Sequence, residues 1–150
     1  MKLAALLETL SEVQTTGNLP ESIKALEYDS RRVAPGSLFI ALRGAKVDGH
    51  QFAAQAAQRG AVAVVAEESL VLPDTCALLR VPNSREAMAD LASAFYGQPT
   101  RQLKLLGVTG TNGKTSVAFL LRHLLAASGN RCGMIGTVEY DLGERVVPAS

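Results

Sequence analysis

The sequence predicts an α/β fold, in which a small amino-terminal α/β domain precedes the first strand–loop–helix–strand unit of a parallel-sheet domain. Residues 61–66 form an uninterrupted apolar run rich in β-branched side chains, which is typical of a strand covered on both faces. Between residues 103 and 135, a strand pattern, a glycine-rich turn, a long apolar helix and another strand pattern follow one another. This order is that of a βαβ unit, and it predicts a parallel sheet with helices on its faces.

A cluster of glycine, proline and polar residues at 97–102 separates the two patterns. We therefore place the domain boundary there, with a first domain over 1–98 and a second over 99–150. The second domain ends without a closing element, so we expect it to be incomplete and the chain to be part of a longer protein.

The first domain is expected to alternate helices with strands. Leucines at helical spacing predict a short amphipathic helix at the amino terminus, and the pair Pro35–Gly36 predicts a turn before the first strand. The predicted elements are a helix within 1–13, a strand over 37–42, a helix over 50–59, and strands over 61–66 and 76–81.

The helix after the strand at 76–81 carries its own start and stop signals. Asn83 or Ser84 is expected to cap it, with Glu86 three residues after Asn83 as in a capping box. Gly97 and Pro99 stop it. Its inward stripe is predicted to consist of Met88, Leu91, Ala92 and Phe95.

The second domain is predicted to begin with a strand over 103–108. A helix over 113–128 follows, closed by Gly129 and Asn130, and then a strand over 131–135. Residues 137–150 predict a hairpin around 141–144.

Composition excludes several classes of function. Lys and Arg number 15 against 14 Asp and Glu, without the basic cluster that a nucleic-acid partner requires. No run reaches the roughly 18 to 20 apolar residues that span a bilayer, and Glu8 and Glu12 interrupt the amino-terminal run, which excludes a signal peptide. The two cysteines have no metal or redox spacing, so reduced thiols in a cytoplasmic protein are expected.

The strongest indication of a binding site is the glycine-rich segment 107–115, which lies between a predicted strand and a predicted helix. Its glycines allow backbone N–H groups to converge on phosphate oxygens, and the helix start adds further N–H groups and a positive dipole end. Lys114 would contact the β and γ phosphates, and the Thr115 hydroxyl would bind Mg²⁺. The predicted ATP-binding residues are Gly110, Thr111, Asn112, Gly113, Lys114, Thr115 and Ser116, of which Lys114 is the catalytic candidate.

The segment departs from the strict P-loop pattern, because Val108 occupies the position of its first glycine. The alternative is a glycine-rich β-to-α turn whose Lys114 is merely solvated.

Two groups of segments together resemble the Mur ligase family, and the resemblance covers most of the chain. Residues 109–116 are similar to the family's ATP loop, including its departure from the strict pattern. Upstream, the chain resembles the amino-terminal domain shared by the MurE and MurF types. The residues of the ATP loop and residues 135–137 are more similar to the MurE type. The upstream segments are 28–31, 35–42, Gly44, 48–50 and 60–61.

The resemblance implies that the first domain binds the UDP part of UDP-N-acetylmuramoyl-L-alanyl-D-glutamate. The positions that match this site are Tyr28, Ser30, Ala45, Lys46 and Val47. The alternative for residues 29–31 is a turn with a local ion pair. His50 is interpreted as part of a helix start, and His123 as a structural or solvated histidine.

The resemblance further implies an ATP-dependent ligase of peptidoglycan precursor synthesis, monomeric and cytoplasmic, with ATP and Mg²⁺ as cofactors. The substrate carboxylate would be phosphorylated by ATP, and the amine of an incoming amino acid, diaminopimelate or lysine, would displace the phosphate. Because the family's remaining catalytic residues would lie past residue 150, these 150 residues alone are predicted to be inactive.

Three alternatives stay open at this point. The nearest is a MurF-type ligase that adds D-alanyl-D-alanine. The others are a non-catalytic UDP-sugar-binding module and an unrelated P-loop kinase with an appended domain. Binding of UDP and of ATP would discriminate among them, because a kinase would show no preference for uracil.

Overall fold

The computed structural model describes residues 1–45, 47–143 and 145–149, and its internal contacts divide the chain into two units. The first unit is Met1–Leu103 and the second is Lys104–Ser150. The domain boundary between residues 98 and 99 stays a prediction.

Parallel strands dominate the sheet of the first unit, and the predicted α/β class is thereby confirmed. The elements are α1 (Leu3–Leu7), β1 (Gln14–Thr16), β2 (Ala25–Glu27), β3 (Ser37–Ile40), α2 (Ala53–Gln58), β4 (Ala61–Ala66), β5 (Ala77–Arg80) and α3 (Ser84–Phe95). The strand order is β1-β5-β4-β3-β2, in which β2 to β5 run parallel and β1 pairs antiparallel with β5.

The central strand β4 has the predicted bounds and is covered on both faces. On one face, Ala63 and Val65 join a buried cluster with residues of α1 and α3. On the other face, Val64 packs in a second cluster that includes Ala53 and Ala56 of α2. Because both faces are buried, β4 carries apolar residues at successive positions.

The predicted cap of α3 by Asn83 is confirmed, and Glu86 contacts the Asn83 side chain in place of the backbone N–H that a capping box uses. The side-chain oxygen of Asn83 accepts from the backbone N–H groups of Arg85 and Glu86 at 3.0 and 3.2 Å, and its amide donates to the Glu86 carboxylate at 2.9 Å. Leu91 is buried as predicted, and Met88 and Phe95 pack against the same cluster. Ala87 belongs to this face as well, whereas Ala92 lies outside the cluster.

Two strands, β1 and β2, were not predicted from the sequence. Each has three residues and lies at one edge of the sheet, and neither alternates buried with exposed side chains. Hydrogen bonds to the neighbouring strand therefore define them, and such bonds leave no periodic signal. The predicted helix at 50–59 begins as a 3₁₀ turn, Gly49–Phe52, before α2.

The second unit contains α4 (Lys114–Ala127), β6 (Met134–Ile135), β7 (Glu139–Asp141) and β8 (Val146–Pro148). The helix is confirmed, and so is the hairpin, formed by β7 and β8, although Glu144 and Ser150 lie outside the described residues.

The predicted strand pairing of the second unit differs from the structure. Residues 103–108 form no ladder with any described residue, and β6 pairs antiparallel with β7 rather than in a parallel sheet. An antiparallel partner close in sequence needs only a short loop, whereas a parallel partner needs a long crossover. Among the described residues, no helix combines the length and apolarity needed to cross a bilayer.

Replacing Asn83 with alanine should lower the free energy of unfolding by about 1 kcal/mol, because two N–H groups of α3 lose their acceptor. Chemical denaturation monitored by circular dichroism would measure this. Asp90→Ala, an exposed position on the same helix, is the matched control. Equal stability of the two variants would contradict the capping role.

Candidate functional site

The glycine-rich segment of the second unit leads directly into α4. Gly110 and Gly113 have φ of 149° and 77°, which side-chain-bearing residues rarely adopt. Gly113 occupies the amino-terminal cap position of α4, so no side chain at that position bonds to the first N–H groups of the helix. Residues 109–117 are exposed. The segment thus presents a helix amino terminus with accessible N–H groups, the arrangement that binds anions.

Lys114 folds back over this segment. Its ammonium donates to the Gly110 carbonyl at 2.6 Å and lies 3.5 Å from the Thr111 carbonyl oxygen. The positive charge therefore lies beside the peptide groups that are predicted to contact phosphate. The hydroxyl-bearing residues Thr115 and Ser116 follow in the first turn of α4, and both are exposed.

An ion pair within the second unit connects α4 to the hairpin. Arg122 on α4 pairs with Asp141 on β7, whose exposed fraction is only 3%. Asp141 also accepts from the Gly143 N–H at 2.8 Å. A carboxylate buried to this degree is stabilised by such partners, and the pair fixes the helix against the sheet that follows it.

In the first unit, the predicted UDP-binding residues lie close after the carboxyl ends of two neighbouring parallel strands. Tyr28 and Ser30 follow β2, and Ala45 and Val47 belong to the loop that follows β3. The carboxyl edge of a parallel sheet is where open α/β folds bind ligands. The structure thus brings these two predicted segments to one edge of the sheet.

The individual side chains differ in exposure. Tyr28 is 65% exposed, whereas Ser30 is buried and donates from its hydroxyl to the Gln55 side chain of α2 at 3.1 Å. Ala45 and Val47 are exposed, and Lys46 lies outside the described residues. The Ser30 hydroxyl is therefore engaged in a hydrogen bond within the protein, whereas the Tyr28 side chain is accessible to a ligand.

The turn with a local ion pair is present at residues 29–31. The Asp29 carboxylate accepts from the Arg31 guanidinium at 2.7 to 3.2 Å and from the Arg31 backbone N–H at 3.0 Å. The hydrogen bonds from the Arg31 side chain, followed by that from its backbone, lower the pKa of Asp29 to about 2. Asp29 is therefore ionised at neutral pH, and its role here is to close the turn between Tyr28 and the following residues.

The loop after β3 is a tight backbone turn. The Gly44 N–H donates to the Val47 carbonyl at 3.0 Å, and the Gly49 N–H donates to the Leu42 carbonyl at 2.8 Å. A Cβ atom at Gly44 would lie 2.8 Å from the Val47 oxygen, and one at Gly49 would lie 2.7 Å from the Leu42 oxygen. These distances are too short for a side chain at either glycine.

A polar cluster that sequence reasoning missed lies at the base of this loop. His50 is 5% exposed and begins the helical segment, as interpreted, with its backbone N–H donating to the Asp48 carboxylate at 3.0 Å. Its ring contacts Asp48 on one side and the backbone N–H of Glu67 on the other. The Glu67 carboxylate accepts from both the N–H and the hydroxyl of Ser84, each at 2.9 Å.

The sequence offered a partial signal for this cluster. An Asp directly before a helical segment is a common cap, so the contact between Asp48 and His50 could have been predicted. Glu67 is 17 residues from both His50 and Ser84, and no periodicity links positions so far apart. His123, by contrast, lies exposed on α4, in agreement with its interpretation as a solvated histidine.

Comparison with known proteins identifies two family matches. Residues 22–96 match the family model described as Mur ligase family, catalytic domain, and residues 108–148 match the one described as Mur ligase middle domain. The chain is 51% identical over 151 residues to a UDP-N-acetylmuramoyl-L-alanyl-D-glutamate--2,6-diaminopimelate ligase of Geobacillus thermodenitrificans. This alignment covers 99% of the chain and 30% of that protein, so the chain spans about 30% of the length of the curated relatives it matches.

Solved structures show the same similarity. A crystal structure of MurF from Acinetobacter baumannii matches with a TM-score of 0.65 and 28% identity, covering 95% of this chain and 31% of that one. A MurF ligase from Thermotoga maritima in complex with ADP matches with a TM-score of 0.52 and 32% identity, covering 69% and 23%.

The stability of the chain should fall on acidification, in part through Glu67. The N–H of Ser84 and, to a smaller extent, its hydroxyl and Arg43 hold the pKa of Glu67 below its ordinary value of 4.5. A carboxyl whose pKa is lower in the folded state stabilises the fold above its unfolded-state pKa, and this contribution is lost as pH falls through the folded-state value.

Glu67→Gln should therefore flatten the fall of the thermal unfolding midpoint as the pH is lowered through and below about 4.5, the ordinary pKa of a glutamate. Glu68→Gln is the matched control, because this exposed neighbour pairs with Arg43 at the surface. An unchanged slope in Glu67→Gln would refute the assignment.

Proposed function

Because this chain belongs to the Mur ligase family, we propose that it is the substrate-binding and ATP-loop portion of a MurE-type ligase. The complete enzyme would join diaminopimelate to UDP-N-acetylmuramoyl-L-alanyl-D-glutamate and consume ATP. The observation that carries the proposal is the 51% identity, over 99% of the chain, to a relative named for that reaction.

The ATP site is assigned to residues 110–116. Support comes from the glycine conformations, the exposed amino terminus of α4 and the Lys114 ammonium beside the loop. Backbone N–H groups would bind phosphate oxygens, and Lys114 would neutralise charge on the β and γ phosphates. A similar protein, the MurF ligase from Thermotoga maritima, was solved in complex with ADP, which supports an adenine nucleotide as the ligand.

Magnesium fits the donors present at the start of α4. The Thr115 hydroxyl is an oxygen ligand in an exposed position, and Mg²⁺ usually takes one or two protein ligands together with water and phosphate oxygens. Thr115 would hold the ion, which would screen the charge of the transferred phosphoryl group.

The UDP site is assigned to Tyr28, Ser30 and the loop residues 45–47. The accessible ring of Tyr28 suits stacking on uracil, since base–aromatic stacking uses an exposed aromatic face. Loop backbone groups would pair with the polar edge of the base. Ser30 would fix the segment through Gln55, or exchange that bond for one to the ligand.

In the proposed reaction, the substrate carboxylate attacks the γ phosphorus of ATP and ADP leaves. The amine of diaminopimelate then attacks the acyl carbon, loses a proton and expels inorganic phosphate. Positioning and charge stabilisation dominate such phosphoryl transfers, and within this chain Lys114 would supply both. Since the chain spans about 30% of its relatives, the other groups would come from the rest of the enzyme, and the isolated chain is predicted to be inactive.

A MurF-type ligase is the second candidate, because MurF structures match the fold with TM-scores up to 0.65. A solved structure of a diaminopimelate ligase matches equally well, with a TM-score of 0.63 and 31% identity. The preference for the MurE type therefore rests on the curated relatives named as diaminopimelate ligases, which are 41 to 51% identical. The addition of diaminopimelate by the complete enzyme, rather than of D-alanyl-D-alanine, would decide between them. A monomeric state and a cytoplasmic location remain predictions.

Lys114→Ala should weaken Mg-ATP binding by the complete protein at least about a hundredfold, or ~2.7 kcal/mol, because the charge nearest the proposed phosphate site is removed. Isothermal titration calorimetry would measure the affinity. Lys104→Ala removes an exposed lysine of the same unit outside the loop and should leave affinity unchanged. Equal affinity of the Lys114 variant and the wild type would rule out this ATP site.

Tyr28→Ala should weaken UDP binding about tenfold, or ~1.4 kcal/mol, through loss of the stacking surface. Titration of the 150-residue chain with UDP would show it. Tyr96→Ala is the matched control, since Tyr96 is 66% exposed against 65% for Tyr28. Failure of the wild-type chain to bind UDP at all would overturn the proposed function of the first unit.

A further inference from the structure

We propose that His50 is a positioning residue that fixes the described residues of the loop after β3, 43–45 and 47–48, in the shape that binds uridine. The inference rests on the proposed function, in which residues 45–47 contact the UDP part of the substrate. His50 is 5% exposed, so it acts on the ligand through the loop and not by touching it.

The loop has little packing of its own to hold it. Gly44 and Ala45 are exposed, and 51% of Val47 is exposed. Two backbone hydrogen bonds, from Gly44 to Val47 and from Gly49 to Leu42, close the turn. Ordering such a loop costs conformational entropy, and a loop that is already ordered avoids that cost when the ligand binds.

The His50 ring connects this loop to the sheet. Its Nε2 lies 3.0 Å from the backbone nitrogen of Glu67, which can only donate, so Nε2 is an acceptor and carries no hydrogen. Nδ1 therefore carries the hydrogen and donates to the Asp48 carboxylate at 2.6 Å. One ring thus bonds the end of the loop to the residue that follows β4.

The anchor on the other side of the ring is rigid. Glu67 directly follows β4, in which five of six residues are buried. Its carboxylate caps the start of α3 by accepting from Ser84. Motion of the loop relative to β4 would break the bonds of His50 in a site shielded from water, where an unpaired polar group is costly.

Arg43 reinforces the same geometry from the exposed side. Its guanidinium lies 3.8 Å from Asp48, 3.5 Å from Glu67 and 3.3 Å from Glu68. The Arg43 side chain is 56% exposed, so each pair is screened by solvent and contributes little by itself. The buried ring of His50 is therefore the stronger constraint.

The test compares two replacements of His50 by calorimetric titration of the chain with UDP. His50→Leu, which cannot bond to Asp48 or Glu67, should weaken binding at least about tenfold. His50→Gln places an amide near the position of Nε2, where its oxygen accepts from the Glu67 N–H; because it keeps this one of the two bonds, it should bind UDP more tightly than His50→Leu and more weakly than wild type. His123→Leu alters the other histidine of the chain and should change nothing.

Thermal unfolding of each variant separates positioning from loss of fold. If His50→Leu does not fold, Asp48→Ala takes its place, because the Asp48 side chain is 44% exposed. That variant should weaken UDP binding at least about threefold while the chain stays folded, with an unfolding midpoint lowered only by the loss of the acceptor for the His50 N–H.

Two results would overturn the inference while the proposed function stands. One is wild-type affinity in a folded His50→Leu or Asp48→Ala chain when Tyr28→Ala has lost affinity. The other is a His50→Gln chain as weak as His50→Leu. If the wild-type chain does not bind UDP, the proposed function fails and the inference fails with it.

Discussion

The parallel pairing of β3 with β4 is the constraint on which the first unit depends. Leu38 lies opposite Ala63 and Ile40 opposite Val65, so both strands end at the same edge of the sheet. Successive side chains of the two strands enter opposite apolar clusters, so both faces of the pair are buried. Everything proposed about the uridine site follows from loops that leave this edge together.

The two proposed sites are made rigid by different means. In the second unit, glycine conformations and the start of α4 shape the segment 107–113, and the only side chain that folds over it is Lys114 among the described residues. In the first unit, the loop after β3 is held by hydrogen bonds of the His50 ring to Asp48 and to the backbone N–H of Glu67. The glycine-rich segment is shaped by residues that are neighbours in sequence, whereas the contacts of His50 require strands and helices that are distant along the chain.

This difference explains what could be predicted. The cap at Asn83, the bounds of β4 and the helix after the glycine-rich segment were confirmed, because each depends on residues within a few positions of one another. The edge strands β1 and β2 and the contact of Glu67 with His50 were missed, since each is defined by a partner far along the chain. Residues 103–108 were wrongly predicted as a paired strand. Their apolar composition favours a strand, but a strand forms only where a second strand is available to pair with it.

The sequence by itself determined the α/β class, the family and the residues of the glycine-rich segment, because these depend on local patterns and on wording shared with relatives. Only the tertiary structure decided that Ser30 is buried against Gln55, that Tyr28 is accessible, and that His50 joins the loop after β3 to the end of β4. The physical reason is that hydrogen bonds of a buried ring are set by register and packing, which bring together residues that the chain keeps apart.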